Sequence, residues 1–291
     1  MLRAERRAAF AFIAPSMIGV FVLLLIPVAV VVIVSMFRWN YLGTPQWVGL
    51  GNYARILNDQ QAINSFVVAA KYVLMVVPTT TALALLFAIQ LTKQIRGRTT
   101  FRVIFVLPWL TTPVVLGVIF SWIFHPRYGP AGEILAMLGL PGFSWFSDPD
   151  RALIVLAGVQ LWQFLGYNSL LYMAGLQAIP EQIYEAAALD GAGPLRTLWS
   201  VTLPLVAPTT LFVVVTNVIG SFQVFDTVAV MTQGGPGDST RVVNYLIYER
   251  AFKLFDAGGA SALAVLLFFV LLVVTLIQFV VSRRHLRDLG E

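Results

Sequence analysis

The run FIAPSMIGVFVLLLIPVAVVVIVSMF, residues 12–37, contains no charged side chain. About 20 consecutive apolar residues are enough for a helix to cross the hydrocarbon core of a bilayer. One such run can be buried in a large soluble protein, but this chain repeats it. Apolar segments near 9–36, 66–91, 102–124, 152–177, 205–231 and 260–282 all reach the required length. In lipid, backbone N–H and C=O groups find no water, so segments of this kind must be helical. The expected fold is therefore an all-α integral membrane protein, with six transmembrane helices forming one domain over residues 1–291. Prolines interrupt the second segment (Pro78) and the third (Pro108, Pro113). Such prolines are tolerated where Ser/Thr groups or neighbouring helices satisfy the freed carbonyls, and PTTT at 78–81 and PWLTTP at 108–113 fit that pattern.

Composition narrows the chemistry. The 291 residues are 58% hydrophobic and 11% charged, against roughly 25% charged in a soluble domain. With no cysteine and two distant histidines, His125 and His285, disulfide, thiol and Cys-based metal chemistry are absent and a His-built metal centre is disfavoured. The motifs G-x-x-x-x-G-K-[ST], H-E-x-x-H and G-x-S-x-G do not occur, so the chain carries no nucleotide-hydrolysing loop or familiar hydrolase signature of its own. The net charge of +5 suits basic flanks of membrane spans and gives no ground for nucleic-acid binding. The first apolar run exceeds the roughly 7–15 residues of a signal h-region and has no small-residue cleavage site, so it reads as a retained span.

Basic residues set the expected topology. Arg3, Arg6 and Arg7 precede the first span, Lys93, Arg96, Arg98 and Arg102 crowd the second connection, and Arg283, Arg284 and Arg287 close the chain. With six spans these segments share one face, which the positive-inside rule makes cytoplasmic, together with both termini. The opposite face carries longer loops near 37–65, 125–151 and 232–259. Their turn clusters LPGFSWFSDPD and TQGGPGDST suggest ordered surface loops. No basic residue is expected in the core of any span, and no internal repeat of the kind found in secondary transporters is visible.

That topology places the connection near 178–204 on the cytoplasmic face, where its polarity is conspicuous. IPEQIYEAAALD opens on Pro180, has Glu181 where the helix dipole favours an anion, and reaches Gly191 where helices commonly end. GPLRTLWSVTLP restarts on Pro194 and runs into Pro204. The expectation is two short helices joined by a glycine elbow, with Ala186, Ala187 and Ala188 giving the first a low profile. Such a loop is either a passive connector or a rigid shape offered to another protein. Regular capping at both helices favours the second.

The stretch EAAALDGAGPLRTLWSVTLPLVAP, residues 185–208, resembles the EAA motif of permease subunits in binding-protein-dependent ATP-binding-cassette importers. The matching positions are Glu185, Ala186, Ala187, Gly191, Val201, Leu203 and Pro204. GLQAIPEQIYEAAALDGAG and MTQGGPGDSTRVVNYLIYERAF resemble the branch that imports sugars and glycerol phosphates, the maltose-type permease family. The resemblance implies a type I ABC importer permease architecture with a cytoplasmic helix-turn-helix coupling loop. Glu185, Ala186, Ala187, Asp190 and Gly191 would then dock on an ATPase subunit. It further implies a non-catalytic chain whose partners bind the cofactors, ATP and Mg. Those partners would be two ATP-binding-cassette subunits, a second homologous permease subunit and an extracytoplasmic solute-binding protein, in a bacterial or archaeal cell membrane.

Polar residues inside spans bear on the solute route. Asn217, Ser221 and Val224 lie at i, i+4 and i+7 of the fifth span, with Gln223 and Asp226 nearby. In the fourth, Gln160, Gln163 and Tyr167 share a face with Asn168 following, and Trp162 and Phe164 interleave. Amides beside aromatic rings suit a sugar; equally, each group can be an interhelical hydrogen bond worth about 1 kcal/mol. The resemblance favours a pathway, carrying substrate contacts onto Trp162, Gln163, Gly166, Tyr167, Asn217 and Ser221; Gln223 and Asp226 extend that set. Val224 departs from it, being apolar where a polar contact is expected. Asp226, near the outer end of its span, reads as reaching interfacial water rather than as a proton-coupling group. A secondary transporter or channel is the rival class, and a membrane enzyme a third. The first would call for intramembrane charges or a filter pattern, the second for clustered acids, histidines or a nucleophile, and neither set is seen.

Overall fold

The computed structural model describes residues 2–92, 97–139 and 145–287. Lys93 and Arg96 of the basic connection, and residues 140–144 of the LPGFSWFSDPD cluster, lie outside the described residues. Among the described residues, five helices are long and apolar enough to cross a membrane: Phe10–Val34, Gln60–Thr92, Pro149–Gln177, Ala207–Met231 and Ala257–Ser282. A sixth crossing exists if the bent pair Thr99–Leu110 and Pro113–Ile123 is taken as one span. The chain divides into two compact units, residues 1–63 with 246–269, and residues 64–245 with 270–291.

The first unit opens with α1 (Leu2–Val20), a wider π turn over Phe21–Leu25, and α2 (Ile26–Val34). The π turn has a cause in the sequence. Pro27 has no N–H to continue the ladder, and the last donor before it, Ile26 N–H, reaches five residues back to the Phe21 carbonyl. Almost nothing in this span is covered by its own chain: Phe12 is 86% and Leu23 78% exposed. A short hairpin follows. Its strands β1 (Phe37–Arg38) and β2 (Gln46–Trp47) pair antiparallel, Phe37 opposite Trp47 and Arg38 opposite Gln46. The Phe37 and Trp47 rings meet edge to face at 5.1 Å. Next comes α3 (Gly51–Leu57), whose buried Asn52 donates to the carbonyls of Ser35 and Phe37, both at 2.8 Å. That amide fastens α3 to the end of the first span. Buried Arg250 pairs with Asp59, and Arg55 with Asp256, so the unit is also held by ion pairs across about 200 residues of sequence.

In the second unit α4 (Gln60–Thr92, from residue 64) is followed by α5 (Arg98–Leu110), α6 (Pro113–Ile123), α7 (Pro130–Met137) and α8 (Pro149–Gln177). The elbow contributes α9 (Glu181–Leu189), α10 (Pro194–Thr197), a second π turn over Leu198–Thr202 and α11 (Leu203–Leu205). Then come α12 (Ala207–Phe222), α13 (Asp226–Met231) and α14 (Val243–Tyr248). The final helix, α15 (Ala257–Arg287), carries residues of both units. The second π turn repeats the logic of the first, since Leu203 N–H reaches the Leu198 carbonyl just ahead of Pro204. Ala84, Ala88 and Leu91 of α4 pack on Tyr172, Met173 and Leu176 of α8, with Val206 and Val213 closing the cluster. Small residues on α4 allow the close approach that helix association in lipid depends on.

Two sequence expectations change here. The third segment, 102–124, is not a continuous helix: α5 and α6 meet at 97°. Pro108 and Pro113 each remove a backbone donor, and the residue before a proline is pushed out of the α region. Thr112 is accordingly extended at ψ 139 and Thr111 at ψ 136. The second helix starts earlier than residue 66, and this places its lysine. Twenty-one residues at about 1.5 Å each separate Lys71 from Thr92, close to the roughly 30 Å hydrocarbon thickness. Lys71 is exposed, and on a span counted back from Thr92 it falls at the border of the slab, where ammonium groups reach water easily.

Candidate functional site

The elbow is built from its caps inward. Pro180 sits extended at the start of α9 with Glu181 in the first turn. At the other end Gly191 takes φ +72, in the left-handed region. Its N–H bonds the Ala188 carbonyl at 3.0 Å, and Ala192 N–H bonds the Ala187 carbonyl at 2.9 Å. This is a Schellman motif, and it closes α9 with its terminal carbonyls satisfied. Thr197 Oγ1 returns to the Gly193 carbonyl at 3.1 Å, holding the start of α10. Tyr184 and Thr202 hydroxyls meet at 3.5 Å, tying α9 to the second π turn. The predicted pair of helices with a glycine turn is therefore present, and its geometry is fixed by hydrogen bonds within the loop.

What the elbow shows to its surroundings is mixed. Glu185, Ala186, Asp190 and Gly191 are exposed, and Ala187 is half-buried. Beside them stand large apolar side chains: Leu189 is 89% exposed, Leu195 74% and Trp199 66%. Behind the elbow lies a cavity of about 670 Å³, bounded by Ile89 and Gln90 of α4, Leu176 of α8, and Tyr184, Leu195 and Leu198 of the elbow.

The polar residues of α8 and α12 are largely engaged with one another. Asn168 and Asn217 exchange amide hydrogen bonds, Nδ2 to Oδ1 at 3.1 Å in both directions, and Asn217 also donates to the Val213 carbonyl at 2.8 Å. Gln160 donates to Ser221 Oγ at 3.0 Å and accepts from the Tyr72 hydroxyl at 2.7 Å. That chain joins α4, α8 and α12 through groups that are all buried. Gln163 donates to the Thr111 carbonyl at 3.1 Å, satisfying an acceptor that the break between α5 and α6 left without a helical donor. Gly166 is a contact point: a Cβ there would stand 1.7 Å from the Phe105 carbonyl oxygen, so α5 and α8 touch through backbone.

The remaining candidates face outward from this packing. Trp162 is 45% exposed with its ring edge-on to Phe120 at 5.4 Å, and Tyr167 stacks on Trp109 at 4.5 Å. Gln223 is exposed at the break between α12 and α13, with its carbonyl held by Asn244 at 2.7 Å. Asp226 is half-buried in the first turn of α13, where the helix dipole favours a carboxylate. Sequence reasoning placed Asn168 beside the cluster and missed Tyr72. The signal was available, because a tyrosine amid apolar residues in a span needs a hydrogen-bond partner. Among the described residues no group of three or more His, Asp or Glu is placed to hold a metal ion.

The architecture defines a class: a polytopic helical membrane protein with a rigid, capped polar elbow between two spans. Comparison with known proteins gives the family. Residues 80–287 match the family described as "binding-protein-dependent transport system inner membrane component". The chain is 30% identical over 274 residues to an sn-glycerol-3-phosphate transport system permease protein of Agrobacterium fabrum, covering 93% of this chain and 92% of that one. It is 31% identical over 280 residues to a trehalose/maltose transport system permease protein of Thermococcus litoralis, covering 96% and 95%. A sulfoquinovosyl glycerol transport system permease protein of Agrobacterium fabrum is 31% identical, covering 96% and 91%. A crystal structure of a bacterial alginate ABC transporter, in complex with an alginate pentasaccharide-bound periplasmic protein, contains a chain of the same fold. Its TM-score is 0.86 at 19% identity, over 97% of this chain and 96% of that one. This protein belongs to the family of membrane permease components of binding-protein-dependent transport systems. It is a transport permease subunit with the type I ABC importer permease fold.

Proposed function

We propose that this chain carries a saccharide or glycerophospho-compound into the cytoplasm by alternating access, worked by a separate ATPase through the elbow. The observation that carries this reading is the elbow itself. A hydrogen-bonded, capped hairpin displays Leu189, Leu195 and Trp199 to its surroundings beside Glu185 and Asp190. Fixed shape with exposed apolar groups and charges at their rim is what a protein-docking surface needs. A push from outside shifts a two-state permease only if it contacts the two states differently, and a rigid elbow transmits such a difference where a slack loop does not. Glu185, Ala186, Ala187, Asp190 and Gly191 form the docking surface for the ATPase, which binds ATP and Mg. The elbow and both termini then face the cytoplasm, and the chain resides in the cell's inner membrane.

The rest of the assembly follows from what the chain leaves uncovered. The first span buries nothing against its own chain, and six crossings at most are few to enclose a solute. A second homologous permease subunit covers part of that surface, and an extracytoplasmic binding protein delivers the solute to the opposite face. The solute class rests on the relatives, whose names specify glycerol phosphate, trehalose/maltose and sulfoquinovosyl glycerol. The pathway runs along α8 and α12, past Trp162, Tyr167, Gln223 and Asp226. Gln163, Gly166, Asn217 and Ser221 set the spacing of its walls and become solute contacts where the Asn168–Asn217 and Gln160–Ser221 bonds open. The test is copurification. Affinity-purified wild type should bring down an ATP-binding-cassette ATPase in stoichiometric amount. A Glu185→Lys, Leu189→Asp double variant should insert in the membrane and lose it. Equal ATPase recovery with that variant would contradict the docking assignment.

A further inference from the structure

A built cationic pocket lies in the first unit. We propose that the pocket between the 37–47 hairpin and the 254–256 turn binds an anionic polyol, a hydroxylated carbon skeleton bearing one phosphate, sulfonate or carboxylate. It encloses about 590 Å³ within the first unit, and its lining includes Arg38, Trp39, Asn40, Arg55, Phe255 and Asp256. Such a volume suits a ligand of one or two sugar rings or a glycerol ester. Two guanidiniums against one carboxylate leave the lining with one net positive charge. Arg38 has no ion-pair partner among the described residues. Arg55 uses only Nη2 on the protein, at 2.8 and 3.1 Å to the Asp256 carboxylate and 3.2 Å to Asn52 Oδ1. Its Nε and Nη1 remain to donate to a ligand. The Asn40 side chain accepts from Gly43 N–H at 3.0 Å, which leaves its Nδ2 free as a donor.

The pocket is held rigidly, as a recognition site needs to be. Asp256 caps α15, accepting from Gly259 N–H at 2.9 Å. A Cβ on Gly259 would fall 2.1 Å from Asp256 Oδ2 and 2.7 Å from Arg55 Nη2, so glycine is what lets the ion pair lie flat on the helix end. Trp39 Nε1 is bonded to the Gly43 carbonyl at 3.0 Å, fixing its ring. Phe255 is a separate indication. This aromatic residue sits at φ +53, in the left-handed region that side chains with a Cβ avoid, and it is 53% exposed. Leu254 N–H to the Glu249 carbonyl at 2.9 Å and Asp256 N–H to the Arg250 carbonyl at 2.7 Å hold the turn in that conformation. An aromatic kept exposed at the cost of backbone strain, beside unsatisfied guanidinium donors, is arranged for contact with a ligand. The ring face takes the C–H side of a polyol while the guanidiniums take its anion.

Binding at this pocket stands on its own geometry; only its role in uptake rests on the importer reading. By the sequence topology the hairpin and the 232–259 loop are extracytoplasmic, where solute arrives. The experiment is calorimetric titration of the purified transporter, with whatever subunits copurify, in nanodiscs of zwitterionic lipid and without binding protein. The probes are sn-glycerol 3-phosphate, galacturonate and maltose. Both anions should bind saturably and maltose should not. Arg38→Gln should weaken anion binding at least tenfold. Phe255→Gly should weaken it several-fold with an unchanged or raised melting temperature, because glycine accepts φ +53 without strain; a purely structural role would instead lower that temperature. In nanodiscs containing phosphatidylglycerol, competition with the probes identifies a lipid headgroup as the anion bound here, and absence of competition identifies a soluble one; both support the site. No saturable binding, equal binding of maltose, or an Arg38→Gln variant that titrates as wild type overturns it. So does an Arg38→Gln variant whose only loss is affinity for the binding protein. Absence of a copurifying ATPase would count against the importer reading and leave this titration unaffected.

Discussion

Two glycines show how single residues set function and fold separately. Gly191 has no atom within 4 Å of where a Cβ would stand, yet its φ of +72 is unfavourable for any other residue type. Gly191→Val therefore acts through conformation alone, at about 1–2 kcal/mol of strain, and unwinds the closing turn of α9 rather than the bundle. The expected result is normal membrane insertion with uptake reduced at least tenfold and ATP hydrolysis no longer coupled to it, read in proteoliposomes. Gly166 is the opposite case. An added methyl would overlap the Phe105 carbonyl, so Gly166→Ala must push α5 from α8. Overpacking of this kind costs about 1–3 kcal/mol or more, and the thermal midpoint of the purified protein should fall clearly. The sequence marked Gly191 for what it is, because a glycine after a run of helix formers has one ordinary meaning. It marked Gly166 only as a candidate solute contact and not as a packing point, a role that depends on a carbonyl some 60 residues earlier in the chain.

At the scale of elements, the spans were legible because hydrophobic length alone defines them, and the elbow because proline and glycine punctuate it. The 97° break between α5 and α6 was not. Pro108 and Pro113 were seen, but a proline in a span kinks, breaks or passes unnoticed according to what satisfies the carbonyls around it. Here Gln163 of α8 satisfies that of Thr111. The polar faces of α8 and α12 were likewise legible as faces, while their mutual pairing was not, since periodicity gives a direction and not a neighbour. Asn168 and Asn217 provide the measurement. Replacing either with leucine leaves the other amide without its partner, whereas replacing both removes the need. A double-mutant cycle on unfolding free energy should return a coupling of about 0.6 kcal/mol, the mean found for hydrogen bonds between membrane helices, and at most about 1.7 kcal/mol. A coupling near zero would mean that the pair is open in the membrane. Gln163→Leu should destabilise by about 1 kcal/mol, since the partly buried Thr111 carbonyl loses its donor, with the thermal midpoint as readout.

The whole molecule reads as one part of a larger machine. The most apolar stretch of its first span has no buried residue, its elbow displays leucine and tryptophan to its surroundings, and the buried amides of α8 and α12 are bonded to partners within the chain. Those three features agree with the family assignment and with the proposal that other subunits complete the structure. The ion pairs Arg55–Asp256 and Arg250–Asp59, which organise the first unit, join residues about 200 apart and had no signature in a single sequence. The most direct test of the account is solute uptake into proteoliposomes loaded with ATP, compared with and without the ATP-binding-cassette subunit proposed to dock on the elbow. The account predicts uptake above leak only when that subunit is present, and none with Gly191→Val. Full-rate uptake by this chain without the ATPase would contradict it.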